Sequence, residues 1–304
     1  MIDKLELFLA LARARHFGRA AEEAGVSQPT LSAGVKQLEE MLGVPLVVRG
    51  SRFQGFTAEG ERLLEWSRRL VGDWRSMRQD IEALRKTVCG HFRLAAVPTA
   101  LAMVPKLTIA VIDKHPGVDF LILASNSQKI IEQVENLAID AGLTYLDNEP
   151  VGNLIQIPLY RERYHLITGP ASDFSGRDEV HWSELQDVPL CLLSPDMQNR
   201  RIIDRALHQV GVKAEVAVES NSMTALAAHV RTGRWTSIMP TVLMEALGLP
   251  AELEAIPLVD PVIEHTIGLV MMDRQPHSPM AAAMIAAARK LSAKQGMLPH
   301  PPIA

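Results

Sequence analysis

Apolar residues near the start of the chain recur at helical spacing. Within AAEEAGVSQPTLSAGVKQLEEMLGVPL, residues 20–46, the repeated apolar positions are Leu31, Val35, Leu38 and Leu42. Gly25 suits the end of the preceding helix, because glycine adopts the left-handed conformation there without steric cost. Ser27 can cap the next helix, and Pro29 is tolerated in its first turn. With a further apolar helix upstream, this pattern predicts a helix-turn-helix on a three-helix core.

The second of these helices is predicted to present polar groups along its N-terminal half. In helix-turn-helix proteins that end enters the major groove of DNA. The amide of Gln28 can pair with adenine, and a helix N-terminus attracts phosphate. The predicted DNA contacts are Ser27, Gln28, Pro29, Thr30, Ser32, Ala33 and Lys36. The alternative is an ordinary helical hairpin whose polar face is only solvated.

The segment LVVRGSRFQGFT, residues 46–57, has the pattern of a short hairpin with Gly50 and Ser51 at its turn. Arg49 and Arg52 then lie at the tip, where they could contact phosphate or the minor groove. Basic residues at a hairpin tip are often only solvated. The position directly after a helix-turn-helix nevertheless favours a DNA-binding wing.

Residues 58–86 contain no proline and predict one long helix. Its large apolar residues repeat at coiled-coil spacing and are Leu63, Leu70, Trp74, Met77, Ile81 and Leu84. About 29 residues of helix span roughly 43 Å, which is longer than so small a domain could cover. A dimerising helix is therefore favoured over a helix packed on its own domain. Such a dimer would carry two recognition helices to two half-sites of DNA.

Beyond residue 90, short apolar strands alternate with helical patterns. The predicted strands lie at 92–97, 118–124, 139–145, 164–169, 189–194, 214–220, 236–240 and 266–272. The predicted helices lie at 101–114, 128–137, 199–210, 222–232 and 277–294. This alternation predicts an α/β domain with a mostly parallel sheet.

Composition limits the class of protein. With 304 residues the chain has room for about two domains, and 47% hydrophobic residues exclude a disordered chain. Residues 1–86 carry 14 basic and 12 acidic side chains and the remainder 17 and 23, so a basic module precedes an acidic body. The acidic start is unlike a secretory signal, and the most apolar late run, 280–288, is shorter than the ~20 residues of a membrane span. We expect a cytoplasmic protein without membrane contact.

Motifs for catalysis and metal binding are absent from the sequence. It has no histidine spacing typical of a metal site, no glycine-rich phosphate loop and no nucleophile elbow. We therefore expect no enzyme activity, no metal and no cofactor. The two cysteines, Cys89 and Cys191, form no C-x-x-C pair, and Cys191 lies in an apolar strand where an inert thiol is expected. A redox switch between them is the remaining alternative.

From residue 16 to residue 64 the sequence resembles the N-terminal region of LysR-type transcriptional regulators. The matching positions are Ala20 and Ala21, Ser27 to Pro29, Leu31 and Ser32, Leu38 and Glu39, Leu42 and Gly43, and Thr57 with Gly60. Two departures concern DNA contact. Ala33 and Gly34 occupy recognition-helix positions that are commonly polar, and Val47-Val48 stand where an aromatic residue is usual in the wing.

Length and layout extend the resemblance to the whole chain, and it implies a ligand-responsive transcriptional regulator. It implies a winged helix-turn-helix domain at 1–58, a dimerising linker helix at 59–86, a hinge at 87–90 and an effector-binding domain at 91–304. That domain would be built like a periplasmic binding protein, with lobe I at about 91–162 and 266–304 and lobe II at about 163–265. The implied partners are a double-stranded DNA operator, a small-molecule effector, RNA polymerase and further copies of the chain as a dimer of dimers.

The family layout also implies effector contacts at strand ends on both sides of the cleft between the lobes. These positions are Thr99, Ala100, Ser125, Asn126, Ser127, Thr144, Pro195, Met197, Arg234, Trp235 and Thr266. Their hydroxyls, amide and helix N-termini suit a small anion such as a carboxylate. Trp235 would fill space in the cleft and Arg234 would supply a cation. In the alternative, Trp235 lies in the core, Arg234 lies in solvent, and the other positions are routine loop and capping residues.

A different class of protein is the alternative for the whole chain. It would be a solute-binding protein or a small α/β enzyme with an accessory helical arm. The absent signal sequence counts against the first and the absent catalytic residues against the second. Deletion of residues 1–86 would discriminate, because only these alternatives keep their activity without that segment.

Overall fold

The computed structural model describes residues 1–48, 50, 53–85, 88–147, 154–169, 171–248 and 252–297, with the backbone alone at 83–85 and 245–247. The chain forms two compact units. The first contains Met1–Val88 together with Glu135–Ala138 and Arg274–Pro279, and the second contains the rest of the chain. The predicted domain and lobe limits remain predictions, and the predicted hinge at 87–90 falls partly outside the described residues.

The first unit begins with three short helices and ends in a long one. They are α1 (Ile2–Ala14), α2 (Phe17–Glu23), α3 (Gln28–Leu42) and α4 (Ala58–Arg85). His16 caps α2, because its Nδ1 accepts from the Gly18 and Arg19 N–H groups at 3.1 and 3.3 Å. Ser27 caps α3 as expected, with its Oγ accepting from the Thr30 N–H at 3.3 Å. The turn between α2 and α3 passes through Gly25 at φ 66°, and the predicted helix-turn-helix is confirmed.

The core of the first unit lies where α1, α2 and α3 meet. Its members include Leu5, Phe8, Leu9, Ala20, Ala21, Leu31, Val35, Leu38, Leu46 and Leu64, all buried. Gly34 is also buried and faces α1, where a Cβ would lie 2.8 Å from Leu7 Cδ1. A larger residue at this position would require the end of the Leu7 side chain to move.

Two extended segments follow α3 and form the base of the wing. Val47 forms an antiparallel bridge with Phe56, and the Val48 N–H donates to the Gly55 carbonyl at 3.0 Å. The Phe56 ring packs edge-on against Phe8 at 5.2 Å, which joins this base to α1. Aromatic packing therefore fixes the wing to the helical core.

Thr57 and Gly60 define the start of α4. Thr57 Oγ1 donates to the Pro45 carbonyl at 2.7 Å and accepts from the Gly60 N–H at 2.9 Å. A Cβ on Gly60 would lie 2.0 Å from the Leu46 carbonyl oxygen, so no larger residue fits without moving backbone. The spacing of Thr57 and Gly60 is thus a packing requirement of the turn.

Lobe I of the second unit is built on one five-stranded sheet. Its strands are β1 (Cys89–Ala96), β2 (Gly117–Ala124), β3 (Ala141–Tyr145), β4 (Leu154–Glu162) and β11 (His265–Met272), in the order β2-β1-β3-β11-β4. β1 is parallel to β2 and β3, whereas β11 is antiparallel to β3 and β4. The helices of this lobe are a 3-10 helix at Pro98–Met103, α5 (Val104–Ile112), α6 (Ser127–Glu135) and α10 (Pro279–Lys294).

Lobe II contains two smaller groups of strands. Its strands are β5 (Tyr164–Thr168), β6 (Val180–His181), β7 (Pro189–Leu193), β8 (Glu215–Ser220), β9 (Ser237–Pro240) and β10 (Glu254–Val259). They form a sheet in the order β6-β10-β5-β9 and a parallel β7-β8 pair. The helices are a 3-10 helix at Trp182–Leu185, α7 (Gln198–Gln209), α8 (Met223–Val230) and α9 (Thr241–Leu247).

The chain passes between the lobes twice, from β4 to β5 and from β10 back to β11. Outgoing β4 and returning β11 lie side by side and antiparallel, so the sheet of lobe I is mixed rather than mostly parallel. The sequence pattern gave no prediction for β4, β6, β10 or α9. The predicted helix at 101–114 is instead a 3-10 turn followed by α5, and Pro105 near the start of α5 cannot donate the hydrogen bond of a continuous helix.

Candidate nucleic-acid interface and effector site

The N-terminal half of α3 presents polar groups to solvent. Of the predicted DNA contacts, the exposed ones are Ser27, Gln28, Pro29, Thr30, Ala33 and Lys36, and Ser32 is half-buried. The hydroxyls of Ser27 and Thr30 lie 2.8 Å apart, and Lys36 pairs with Glu40 at 3.5 Å in an exposed and therefore weak ion pair. This surface offers an amide, hydroxyls, a cation and a helix N-terminus, which are the groups that contact base edges and phosphates.

Two other predictions about the DNA-binding surface concern the wing arginines and Gly34. Arg49 and Arg52 lie outside the described residues. The expectation that Gly34 replaces a base-reading side chain is corrected, because Gly34 is buried against Leu7 of α1. Of the two departures from the family pattern, only the one at Ala33 therefore leaves the exposed face of α3 without a polar side chain.

A row of large apolar side chains runs along α4, and the described residues leave each of them about half exposed. These exposed residues, the α4 stripe, are Trp66, Leu70, Trp74, Met77 and Ile81. Leu63 does not belong to it, because its side chain packs against the core of its own unit. The side chain of Leu84 is outside the described part of the chain. Trp66, which is 50% exposed, was missed by the sequence pattern and extends the stripe by one turn.

The two lobes of the second unit are joined by a hydrogen bond across the rims of their cleft. Asn126 Nδ2, just after β2, donates to Asp196 Oδ2, just after β7, at 3.1 Å. Asp196 also accepts from the Ser194 hydroxyl at 2.7 Å, and these two hydrogen bonds lower the pKa of its carboxyl. The predicted contact Asn126 is thus a rim residue, and its partner Asp196 was missed although both of its neighbours were predicted.

The other predicted effector contacts occupy several environments. Thr99, Ala100, Ser127, Thr144 and Met197 are buried, Ser125, Trp235 and Thr266 are half-buried, and Pro195 and Arg234 are exposed. Ser127 Oγ and Thr144 Oγ1 are fully buried and have no hydrogen-bond partner among the described residues. Met197 belongs to the apolar core of lobe II.

Arg234 and Trp235 contact each other on lobe II. The Arg234 guanidinium lies 5.1 Å above the Trp235 ring, which also meets His229 edge-on at 5.4 Å. Trp235 packs against the core of lobe II and Arg234 is exposed. These contacts match the alternative stated for the pair, so a role of either residue in effector binding stays a prediction.

A buried polar group lies where β4 leaves lobe I. This hinge cluster consists of Thr99, Tyr145, Glu162, Tyr164 and Asn199. The Tyr145 hydroxyl donates to Glu162 Oε1 at 2.5 Å and lies 3.2 Å from Thr99 Oγ1. Burial raises the pKa of Glu162 to about 7, an effect opposed by the nearby hydroxyls and the Asn199 amide. Burial beside this carboxyl likewise raises the pKa of Tyr145 and Tyr164.

A pocket of about 520 Å³ opens between the lobes. Its lining residues are Pro98, Leu101, Ala102, Pro105 and Ala124 from lobe I and Asn221, Ser222, Met223, Thr224 and Leu243 from lobe II. The segment from Asn221 to Thr224 was not among the predicted effector contacts. The available signal was a strand end followed directly by a helix cap, because Ser222 Oγ accepts from the Ala225 N–H at 3.4 Å.

Within the described parts of the chain, no group of three or more His, Cys, Asp or Glu side chains could hold a metal ion. Among the helices described above, none has both the length and the apolar character needed to cross a membrane.

A winged helix-turn-helix joined to a two-lobed α/β domain defines a class of DNA-binding regulators that respond to ligands. Residues 2–61 match the family model "Bacterial regulatory helix-turn-helix protein, lysR family", and residues 85–293 match "LysR substrate binding domain". The chain belongs to the LysR family of ligand-responsive, DNA-binding transcriptional regulators.

Relatives cover nearly the whole chain. The uncharacterized HTH-type transcriptional regulator YfeR of Shigella flexneri is 30% identical over 93% of this chain and 91% of its own length. OxyR of Escherichia coli K12, a DNA-binding transcriptional dual regulator, is 26% identical over 92% and 90%. These relatives are transcriptional regulators, not enzymes.

Solved structures share the fold. A full-length OxyR variant from Pseudomonas aeruginosa superposes with a TM-score of 0.74 at 23% identity, covering 95% of this chain and 94% of that one. CbnR in complex with its target DNA gives a TM-score of 0.59 at 20% identity, over 96% and 99%. The predicted fold class is thereby confirmed.

Proposed function

We propose that this chain reads a specific operator with the N-terminal half of α3, dimerises along the α4 stripe and responds to a small effector bound between lobes I and II. The observation that carries the proposal is the exposed polar start of α3, which Ser27 caps and the three-helix core holds in place. Gln28 would read adenine through its amide, and Thr30 and Lys36 would contact phosphates or bases.

The α4 stripe supports dimerisation. Five large apolar side chains on one helical face, each 41–50% exposed, form an apolar surface that monomeric proteins rarely leave open. A second copy of α4 would cover this surface and set the spacing of the two recognition helices. The operator would then be an interrupted inverted repeat, and a dimer of dimers would occupy it.

The unpartnered hydroxyls of lobe I support a carboxylate-bearing effector. Ser127 begins α6 and Thr144 lies in β3 one residue before its end, so both are at the edge of the sheet that faces the cleft. A carboxylate there would accept hydrogen bonds from both hydroxyls and from the free N–H groups at the start of α6. Occupancy would draw the lobes together and change how paired subunits present α3 to cytoplasmic DNA and to RNA polymerase.

Several relatives are named hydrogen peroxide-inducible genes activators, including one from Pectobacterium carotovorum. A peroxide sensor needs a reactive thiolate. Burial raises the pKa of the Cys191 thiol to about 11, and this thiol donates to the Leu226 carbonyl at 3.7 Å. Because the protonated thiol is a poor nucleophile, we propose a small-molecule effector for this chain rather than thiol oxidation at Cys191.

Operator selection with the full-length protein tests the proposal. We expect a selected inverted repeat to bind at least ~10³-fold more tightly than random DNA. Gln28→Ala should weaken that binding about 5- to 100-fold and relax selection at one base position of each half-site. Gln37→Ala, an exposed glutamine in the C-terminal half of the same helix, is the matched control. Equal affinity for every sequence would overturn the proposal.

A further inference from the structure

The hinge cluster contains a carboxyl oxygen that accepts no hydrogen bond of normal length and angle from the described residues. Glu162 is fully buried at the end of β4, where the chain leaves lobe I. Oε1 accepts from the Tyr145 hydroxyl, whereas Oε2 has no hydrogen-bond partner among the residues that the structure describes. Burial is the largest influence on its pKa, and the main opposing influences come from neutral side chains nearby. A buried carboxylate without a cation is costly, so this position calls for a proton or a positively charged partner.

Lobe II adds unpaired groups to the same place. Asn199, near the start of α7, is 2% exposed, and neither Oδ1 nor Nδ2 has a hydrogen-bond partner among the described residues. Its side chain lies near enough to Glu162 to lower the pKa of that carboxyl. The Tyr164 hydroxyl is buried beside them and makes no hydrogen bond of normal length and angle within the described part of the chain. Unpaired buried polar groups are destabilising, and a bound donor would satisfy the acceptors among them.

We propose that Glu162 Oε2 and Asn199 Oδ1 receive the ammonium group of the effector, so that the effector is an amino acid or a related amino carboxylate. This inference rests on the proposed binding of a carboxylate between the lobes. The carboxylate end would bind at Ser127 and Thr144, and the ammonium end at the hinge cluster. A simple carboxylic acid would leave the acceptors of the hinge cluster unpaired.

The proton on Glu162 gives this inference a pH signature. The titratable groups that face Glu162 are Tyr145, Tyr160 and Tyr164, and the pKa of each phenol is raised, so all three stay neutral near pH 7. His265 lies edge-on to Tyr145 at 6.3 Å, and burial lowers its pKa. Ammonium binding requires the ionised carboxyl. Affinity should therefore fall about tenfold per pH unit below about 7 and level off above it.

Matched ligand pairs test the inference on the full-length protein. The probes are the common amino acids and 4-aminobutyrate, each set beside the acid of the same carbon skeleton without the amine, such as alanine with propionate or glutamate with glutarate. Thermal shift at pH 7.5 measures binding. We expect at least one amino member to stabilise the protein while its partner acid at the same concentration does not.

Variants of the hinge cluster separate this inference from the proposed function. Glu162→Gln and Asn199→Ala should each weaken the amino ligand about 10- to 100-fold, and Glu162→Gln should abolish the pH dependence. Glu264→Gln, an ion-paired glutamate near the second crossing, is the control. If Glu162→Gln unfolds the protein, the inference is still tested by the ligand affinity of Asn199→Ala and by the pH dependence of ligand affinity in the wild-type protein.

Three results would overturn the inference. The first is that the simple acids bind and the matching amino compounds do not. The second is an affinity for the amino ligand that does not change with pH, and the third is no binding of any amino compound or simple acid. If the simple acids bind and change operator affinity, the proposed function stands and only the ammonium site fails. Loss of specific operator binding would instead remove the proposed function itself.

Discussion

At the scale of single residues, Glu162 links proton binding to the stability of the second unit. Its pKa rises from 4.5 to about 7 on folding, so between these values the folded chain holds a proton that the unfolded chain has released. The stabilisation from this proton is complete below about pH 4.5 and is lost as the pH rises through 7. A neutral amide at the position would not titrate.

Glu162→Gln therefore has an effect whose size depends on pH. Between pH 6 and pH 8 the wild-type chain should lose roughly 1 kcal/mol of unfolding free energy relative to the variant. Urea unfolding at the two pH values measures this difference. Glu264→Gln retains Glu162 and should lose the same free energy as wild type between these pH values, because Arg163 lowers the pKa of Glu264 and keeps that carboxyl ionised throughout. Parallel wild-type and Glu162→Gln curves would contradict the prediction.

At the scale of elements, the start of α4 has a glycine, Gly60, where helix propensity favours alanine but close packing excludes a larger side chain. An exposed helical glycine replaced by alanine normally gains up to about 1 kcal/mol. Gly60 is in a helix, but a Cβ there would lie 2.0 Å from the Leu46 carbonyl oxygen. That contact involves backbone, which cannot move aside as a flexible side chain could.

Gly60→Ala should consequently destabilise the first unit by about 1–3 kcal/mol, the cost typical of overpacking. Thermal unfolding of the full-length protein with a probe in the first unit measures the change. Glu59→Ala, at the exposed neighbouring position, is the control and should stay within about 0.5 kcal/mol of wild type. A more stable Gly60→Ala protein would show that the wing moves to accommodate the methyl group.

The α4 stripe makes a second prediction at this scale. Trp74→Glu and Met77→Glu together place two charges in the proposed apolar interface. They should raise the dimer dissociation constant at least 100-fold, because buried unpaired charges cost several kcal/mol. Sedimentation velocity over a concentration series measures the dissociation constant. Glu61→Lys changes an exposed α4 residue outside the stripe and should leave the dissociation constant unchanged. If the double variant dimerises as tightly as wild type, the interface lies elsewhere.

At the scale of the whole molecule, the hydrogen bond from Asn126 to Asp196 joins parts of the chain that lie 70 residues apart. Asp196→Ala should release the rims of the cleft and raise hydrogen exchange about 2- to 10-fold at 125–130 and 194–200, as expected for the loss of one charge-assisted hydrogen bond. Ser194→Ala removes only the bond within lobe II and serves as the control. Equal exchange in the two variants would show that other contacts hold the rims.

Sequence patterns predicted those parts of the fold that local spacing decides. The recognition helix followed from Ser27, Gly25 and the apolar repeat, and most strands of lobe I followed from short apolar runs. The elements of lobe II were harder to predict from sequence patterns. β10 contains Pro257 and α9 follows β9 directly, so neither shows a clear periodic pattern bounded by turns.

The site was predictable only in part, because it depends on contacts between distant elements. Ser127 and Thr144 were named because the family layout implies effector contacts at strand ends, and the apolar pattern locates those ends. Glu162 lies in an unpredicted strand, and a lone glutamate there shows no sign that Tyr145 and Asn199 enclose it. Leu63 fits the coiled-coil spacing as well as Leu70 does, and only packing separates the two.

The burial of Cys191 has a practical consequence for observing this regulator. A maleimide reacts with thiolates, and Cys191 is both inaccessible and held in its protonated form. Cys89, half-buried at the first residue of β1, is the other thiol of the chain. The unmodified protein thus carries one selective attachment point for a fluorophore or spin label, at the first residue of the second unit. A spectroscopic signal could be followed there during ligand and DNA titrations without engineering a cysteine.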